Sequence, residues 1–164
     1  YQSPKIFVRK TGVGITAALD YTNAYTNQVV YILKTKQKDD DLEFYIGLLN
    51  SRAYYFYLIK VFGELEWKSH PYLTQSQIIH LPLPDLTLDK NKKIKKEIAR
   101  ILRPTLRRQK TLSDKIDAQV ERLVSELFLL TKKDYEIIFN AINESDDLLP
   151  VRELKRISHN DVFK

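Results

Sequence analysis

The chain has 164 residues, 43% of them apolar, enough to bury a core as one domain or as one domain with a helical appendage. It contains no Cys, which excludes disulfides and thiolate metal sites, and its three scattered His cannot replace them. The formal charge of +6 is localised: residues 89–110 carry 10 Lys or Arg against 2 Asp or Glu, whereas residues 1–88 carry 9 against 8 and residues 111–164 carry 8 against 11.

Three strand-like runs open the chain. Lys5-Ile6-Phe7-Val8-Arg9-Lys10 and Gly14-Ile15-Thr16-Ala17-Ala18-Leu19-Asp20 flank a hairpin-like turn, and Val29-Val30-Tyr31-Ile32-Leu33-Lys34 supplies a β-branched third run. The turn Thr11-Gly12-Val13-Gly14 is not a phosphate-cradling loop, because a strand follows it where such loops need a helix N-terminus. From Asp41 to Phe62 the pattern is helical and apolar nearly all round, with Asp39 to Asp41 suited to the dipole at its start and Gly63 as its stop. Tyr54, Tyr55 and Tyr57 have the chemistry to stack on bases, but aromatics at helical spacing usually pack in a core.

The run His70-Pro71-Tyr72-Leu73-Thr74-Gln75-Ser76-Gln77-Ile78-Ile79-His80-Leu81-Pro82-Leu83-Pro84 reads as a docking loop. Pro82 and Pro84 fix φ at alternate positions and remove two donors, so Leu81 to Asp85 is expected to run extended. Beyond it the chain reads as helical. Asp89 is expected to cap a helix bearing Ile94, Ile98, Ile101 and Leu102 on one face, with Pro104 kinking or ending it. A second helix uses Leu112, Ile116, Val120, Leu123, Leu127 and Phe128, and Thr131-Lys132-Lys133-Asp134 resembles a capping arrangement for a third. The tail from Ser145 is expected to be polar and frayed. The expected class is therefore α+β: a small mixed or antiparallel sheet, a buried long helix and a C-terminal helical hairpin, divided as 1–88, 89–144 and a tail of 145–164.

The order of these elements carries a resemblance. Pro4-Lys5-Ile6-Phe7-Val8-Arg9-Lys10-Thr11-Gly12, then Ala17-Ala18-Leu19-Asp20, then Tyr45-Ile46-Gly47-Leu48-Leu49-Asn50-Ser51-Arg52, then Pro71-Tyr72-Leu73 through Leu81-Pro82-Leu83-Pro84 resembles the TaqI-like C-terminal specificity domain. That family is the target-recognition domain of adenine-N6 DNA methyltransferases of bacterial type II restriction-modification systems, including single-chain type IIG enzymes with a fused nuclease. The trailing segment Ile116 to Thr131 is similar to the helical region that closes many such enzymes. The resemblance implies double-stranded DNA as partner, a methyltransferase domain in cis on the N-terminal side, and S-adenosylmethionine as that domain's cofactor. It implies no cofactor and no catalytic residue here, since no Pro follows Asn as the family's Asn-Pro-Pro-aromatic motif requires. Zero Met and an opening on Tyr1 fit the expectation that the chain is a piece of a longer protein.

Matching motifs are scaffold in a family whose members recognise different sites, so contacts must be sought by chemistry. Lys34, Lys36 and Lys38 before the long helix, and Trp67, Lys68, Ser69, His70, Tyr72, Thr74, Gln75 and Gln77 around the loop, are the candidate readers. Lys suits guanine and phosphate, and Gln suits adenine. Lys92, Lys93, Lys96 and Arg100 of the basic block are candidate phosphate contacts, the competing reading being a solvated helix face. Two Glu-x-Lys matches to a nuclease motif, Glu66-Trp67-Lys68 and Glu153-Leu154-Lys155, mean little, because nine Glu among 18 Lys make about one such match expected by chance. The alternative to DNA recognition is a helical subunit-docking module that uses residues 111–142. With no charge-free apolar run of about 18 residues and no signal-peptide pattern, the expectation is no membrane partner and a cytoplasmic setting.

Overall fold

The computed structural model describes residues 4–36, 41–62, 72–146 and 151–164. The three opening runs become β1 (Lys5–Arg9), β2 (Ala17–Asp20) and β3 (Val30–Leu33), an antiparallel sheet in the order β2-β1-β3. Phe7 of the central strand stands opposite Ala18 on one side and Ile32 on the other. Ile6 and Val8 turn into the core, as period-two alternation requires. The turn after β1 needs glycine, since Gly12 has φ +102° and Gly14 φ +74°. A Cβ on Gly14 would also lie 2.6 Å from the Tyr55 ring.

Where periodicity predicts one helix from Asp41 to Phe62, there are two, α1 (Leu42–Leu49) and α2 (Arg52–Phe62). The break has a local cause. The Asn50 side-chain amide pairs with the backbone of Ala17 in β2, accepting its N–H and donating to its carbonyl, both at 2.9 Å. Ser51 Oγ donates to the Leu48 carbonyl and accepts the Tyr54 N–H, so it closes one helix and starts the next. Side-chain bonds of this kind compete with the helical ladder. Helix α1 is buried along almost its whole length, and Tyr54 and Tyr55 of α2 are buried as core aromatics. The proposed start at Asp39 and Asp40 and the stop at Gly63 lie outside the described residues.

The docking loop contains a short helix, α3 (Gln75–Ile79), started by a capping box. Next comes α4 (Asp89–Arg107), which departs from expectation at both ends. Leu88 occupies the N-cap; Asp89 lies in the first turn and pairs with Lys92 instead of capping. Pro104 neither ends nor bounds the helix. It sits on the exposed side, where the missing bond to the Arg100 carbonyl leaves an oxygen that water can reach. Helix α4 lies against α1 at Gly47, where a Cβ would stand 2.9 Å from an Ile98 methyl.

Helices α5 (Asp114–Leu127) and α6 (Lys132–Glu144) follow, the latter begun by the capping box of Thr131 and Asp134 that the sequence suggests. The expected frayed tail instead forms two short helices, α7 (Val151–Leu154) and α8 (His159–Val162). Val151, Ile157 and Val162 are buried with Tyr135, Ile138, Phe139 and Ile142 in a second core. The first core joins the sheet, α1, Leu73, Leu81, and the inner faces of α4 and α5. No helix among the described residues is long and apolar enough to cross a membrane.

Arg52 stands between the two cores, 1% exposed. Its guanidinium makes a paired contact with Asp117 at 3.0 and 2.9 Å, reaches Glu121 at 3.1 Å and donates to the Leu154 carbonyl at 2.7 Å. Its backbone N–H also donates to Glu121, and the Tyr135 hydroxyl donates to the same carboxylate. Burial, then the Glu121 charge, pushes the Tyr135 phenol well above its ordinary range.

Candidate nucleic-acid interface

The segment 72–86 is held on both sides by the scaffold. The Leu73 N–H donates to the Lys10 carbonyl and Tyr72 bridges to Thr11, so the entry is stitched to the end of β1. On the exit side the Tyr54 hydroxyl donates to the Pro82 carbonyl at 2.5 Å, while Leu81 is buried. Leu81 to Asp85 carries no regular structure, in keeping with the two prolines. Within this frame Thr74 Oγ1 accepts the Gln77 N–H at 3.2 Å and Gln77 Oε1 accepts the Thr74 N–H at 2.8 Å. The two side chains read as base-edge readers thus first serve to start α3. The His80 ring turns back onto Ser76.

Tyr72 is half exposed and stands beside Tyr31 of β3, whose phenol is raised by burial and then by Tyr72. Lys10 lies 4.4 Å over the Tyr31 ring. A cation, two phenols and the exposed Gln75 are thereby grouped at one end of the sheet, a surface with both stacking faces and hydrogen-bonding edges.

Beside this lies a cavity of about 900 Å³. Its floor comes from Ile6, Leu42, Leu48 and Leu49, and its walls from α3, the Leu81 to Leu86 segment and α4. Lys34, Lys36, Lys92 and Lys95 border it. Chain positions far apart in sequence therefore meet: Lys34 and Lys36 after β3 face Lys92 of α4. Lys95 was not among the sequence candidates; it packs over the Phe44 and Tyr45 rings at 5.7 and 5.4 Å. Ile79 and Leu83, also missed, are 69% and 65% exposed at the same cavity. An apolar residue in a polar loop gives no signal of its exposure until the fold is known.

Lys93, Lys96 and Arg100 occupy the opposite face of α4 from Ile94, Ile98 and Leu102 and form an exposed stripe at i, i+3 and i+7. Arg100 is held by Glu97 at 2.8 and 2.6 Å, leaving Lys93 and Lys96 as the more available charges. Arg103, by contrast, is structural. It donates to Glu43 at 2.8 Å and to Asp41 at 2.7 Å, tying α4 to α1. Lys38, Trp67, Lys68, Ser69 and His70 lie outside the described residues, as does the first Glu-x-Lys match. In the second match Glu153 pairs with Arg156 and Lys155 donates to the Ser145 carbonyl. Among the described residues no group of three or more His, Cys, Asp or Glu is placed to hold a metal ion.

A family model described as the TaqI-like C-terminal specificity domain matches residues 1–83, half of the chain. No curated protein matches. The matched half holds the motif residues whose roles are visible here: Gly47 at the α1–α4 contact, Asn50 bound to β2, Ser51 between two helices, and Pro82 under Tyr54. The chain belongs to the TaqI-like C-terminal specificity domain family.

Proposed function

We propose that the chain is the DNA-binding target-recognition domain of a site-specific adenine-N6 methyltransferase of a type II, IIG-like restriction-modification system. The observation that carries this reading is the position of the exposed Lys93, Lys96 and Arg100 stripe, which immediately follows the family-matched segment and its Tyr72 to Gln77 surface. The stripe supplies phosphate contacts that hold register, and Tyr72, Thr74, Gln75 and Gln77, with Trp67, Lys68, Ser69 and His70 preceding them, supply base readout. Lys34, Lys36, Lys38 and Lys92 add to the positive field that draws the duplex in. S-adenosylmethionine and the chemistry belong to a catalytic domain in cis. Gripping the duplex there would free one adenine to leave the stack.

The docking-module alternative finds less support, because the apolar stripes of α5 and α6 are used inside the molecule. Val120, Val124 and Leu127 join the first core, and Tyr135, Ile138, Phe139 and Ile142 the second. The test is fluorescence anisotropy of a labelled duplex across a salt series. The logarithm of the binding constant is expected to fall against log salt with a slope of about −0.9 per phosphate neutralised. Lys93→Glu with Lys96→Glu should weaken binding and flatten the slope by roughly two phosphates. Salt-independent binding, or a slope unchanged in the double variant, would remove the stripe from the interface.

A further inference from the structure

The cavity beside α3 has a composition that duplex DNA does not use. Its floor and walls are mainly apolar, with Ile6, Leu42, Leu48, Leu49, Ile78 and Leu86 contributing beside Tyr45 and Tyr54, and no Asp or Glu among the described residues lines it. A phosphate backbone gains nothing from such a floor. Yet the border is strongly cationic. Among the described residues Lys34 and Lys36 make no ion pair, and Lys92 pairs with Asp89, which is 89% exposed, and feels the charge of the exposed Asp85, so neither holds it strongly. Ile79 and Leu83 project at the lip and continue the apolar lining outward, so the exposed surface is one contiguous patch and not scattered single residues.

From this pairing of an aliphatic interior with a lysine border, we infer that the cavity docks an acidic amphipathic helix presented by a partner polypeptide. Such a helix supplies large aliphatic side chains at i, i+3, i+4 and i+7 to the floor, and carboxylates on its flanks to Lys34, Lys36 and Lys92. The charge fixes which amphipathic segments are accepted, because a basic one would set its own cations against the bordering lysines. The inference goes beyond the DNA reading and does not depend on it: Lys93 and Arg100 of the stripe turn away from the helix face of Lys92 and Lys95 that borders the cavity, while Lys96 stands one helical turn from Lys92.

The experiment uses the full chain and three fluorescein-labelled synthetic peptides. The first is a helix-forming peptide with Leu at the four anchor positions and Glu elsewhere, the second replaces Glu by Lys, and the third keeps Glu but replaces Leu by Ser. Anisotropy should show binding of the first alone, the others being weaker by about tenfold or more. Ile79→Asp and Leu83→Asp, both at exposed positions, should each weaken it by about thirtyfold, the size of a lost anchor. Lys34→Glu with Lys92→Glu should invert the preference between the acidic and basic peptides. Lys93→Glu should weaken duplex DNA and leave the peptide unchanged, since Lys93 lies on the far side of the helix from the cavity. Circular dichroism checks that each variant keeps its helical content. Failure of the acidic peptide to bind, equal binding of the Ser peptide, or indifference to both cavity variants would overturn the inference. So would displacement of the peptide by duplex in a manner abolished by Ile79→Asp, which would make the cavity part of the DNA face. Failure of the unaltered chain to bind duplex DNA while it binds the acidic peptide would count against the DNA reading only.

Discussion

Arg52→Met tests whether the two cores form one folding unit. The methionine keeps most of the aliphatic volume and removes the guanidinium, so Asp117, Glu121 and the Leu154 carbonyl lose their shared donor and the Phe139 ring loses its cation. Asp117 is partly exposed and can be solvated. Glu121 is 2% exposed, and is left with the Tyr135 hydroxyl and the residue 52 backbone N–H. Removing one partner of a buried ion pair costs about 3–5 kcal/mol. The urea midpoint should therefore fall by roughly 2 M at an m-value of about 2 kcal/mol/M. Adding Glu121→Gln neutralises the stranded carboxylate, so the double variant should recover part of the loss, and the thermodynamic cycle should give a coupling of about 1–3 kcal/mol. Equilibrium urea unfolding followed by circular dichroism at one pH measures all four proteins. A cost below about 1 kcal/mol for Arg52→Met, or additive effects in the cycle, would refute the idea that this network joins the family-matched half to the C-terminal helices.

Asn50→Ala should cost about 1–3 kcal/mol by stranding the N–H and carbonyl of Ala17, with faster amide exchange at Ala17 than at the β1–β3 pairs. In Glu43, burial raises the carboxyl, but Arg103, the residue's own backbone N–H and the Tyr21 hydroxyl together hold it below its ordinary value. Stability from this group is thus fully present above the unfolded pKa of about 4.3 and is lost as pH falls through the folded value. Arg103→Met should move the acid-unfolding midpoint to higher pH in a circular-dichroism titration, and coincident curves would count against the link. Leu129 follows α5 with φ +55° and is 81% exposed, a place where glycine is at ease and leucine is strained. Leu129→Gly should therefore stabilise by about 1 kcal/mol, read as a rise of roughly 2–4 °C in Tm.

Much of the architecture is legible because its signals are local. Ile6, Phe7 and Val8 form a short apolar run that ends at a glycine turn, and that local pattern marks β1, although the burial of Lys5 shows only in the fold. Thr131 and Asp134 stand three apart before an apolar run, so the start of α6 is written within four residues. The break between α1 and α2 is not legible in this way. Apolar periodicity runs straight through Asn50 and Ser51, and the helix stops because Asn50 finds Ala17, a partner that only the folded sheet presents. The helices of the tail are hidden in the sequence for a related reason. Val151, Ile157 and Val162 are too sparse to mark a helix, yet each meets an aromatic surface that α6 has already built.

For the interface the division is similar. Sequence by itself determined the α+β class, the concentration of charge in α4 and the membership of the Tyr72 to Pro84 segment in a recognisable pattern, because these depend on residue type and spacing along the chain. Only tertiary structure decided which lysines share a surface. Lys34, Lys36 and Lys92 gather at one cavity while Lys93 faces away from it, since one residue of helix rotation turns a side chain by about 100°. It also decided that Arg52 is a buried tie and not a surface charge, because a guanidinium can leave water only where carboxylates 65 and 69 residues away converge on it.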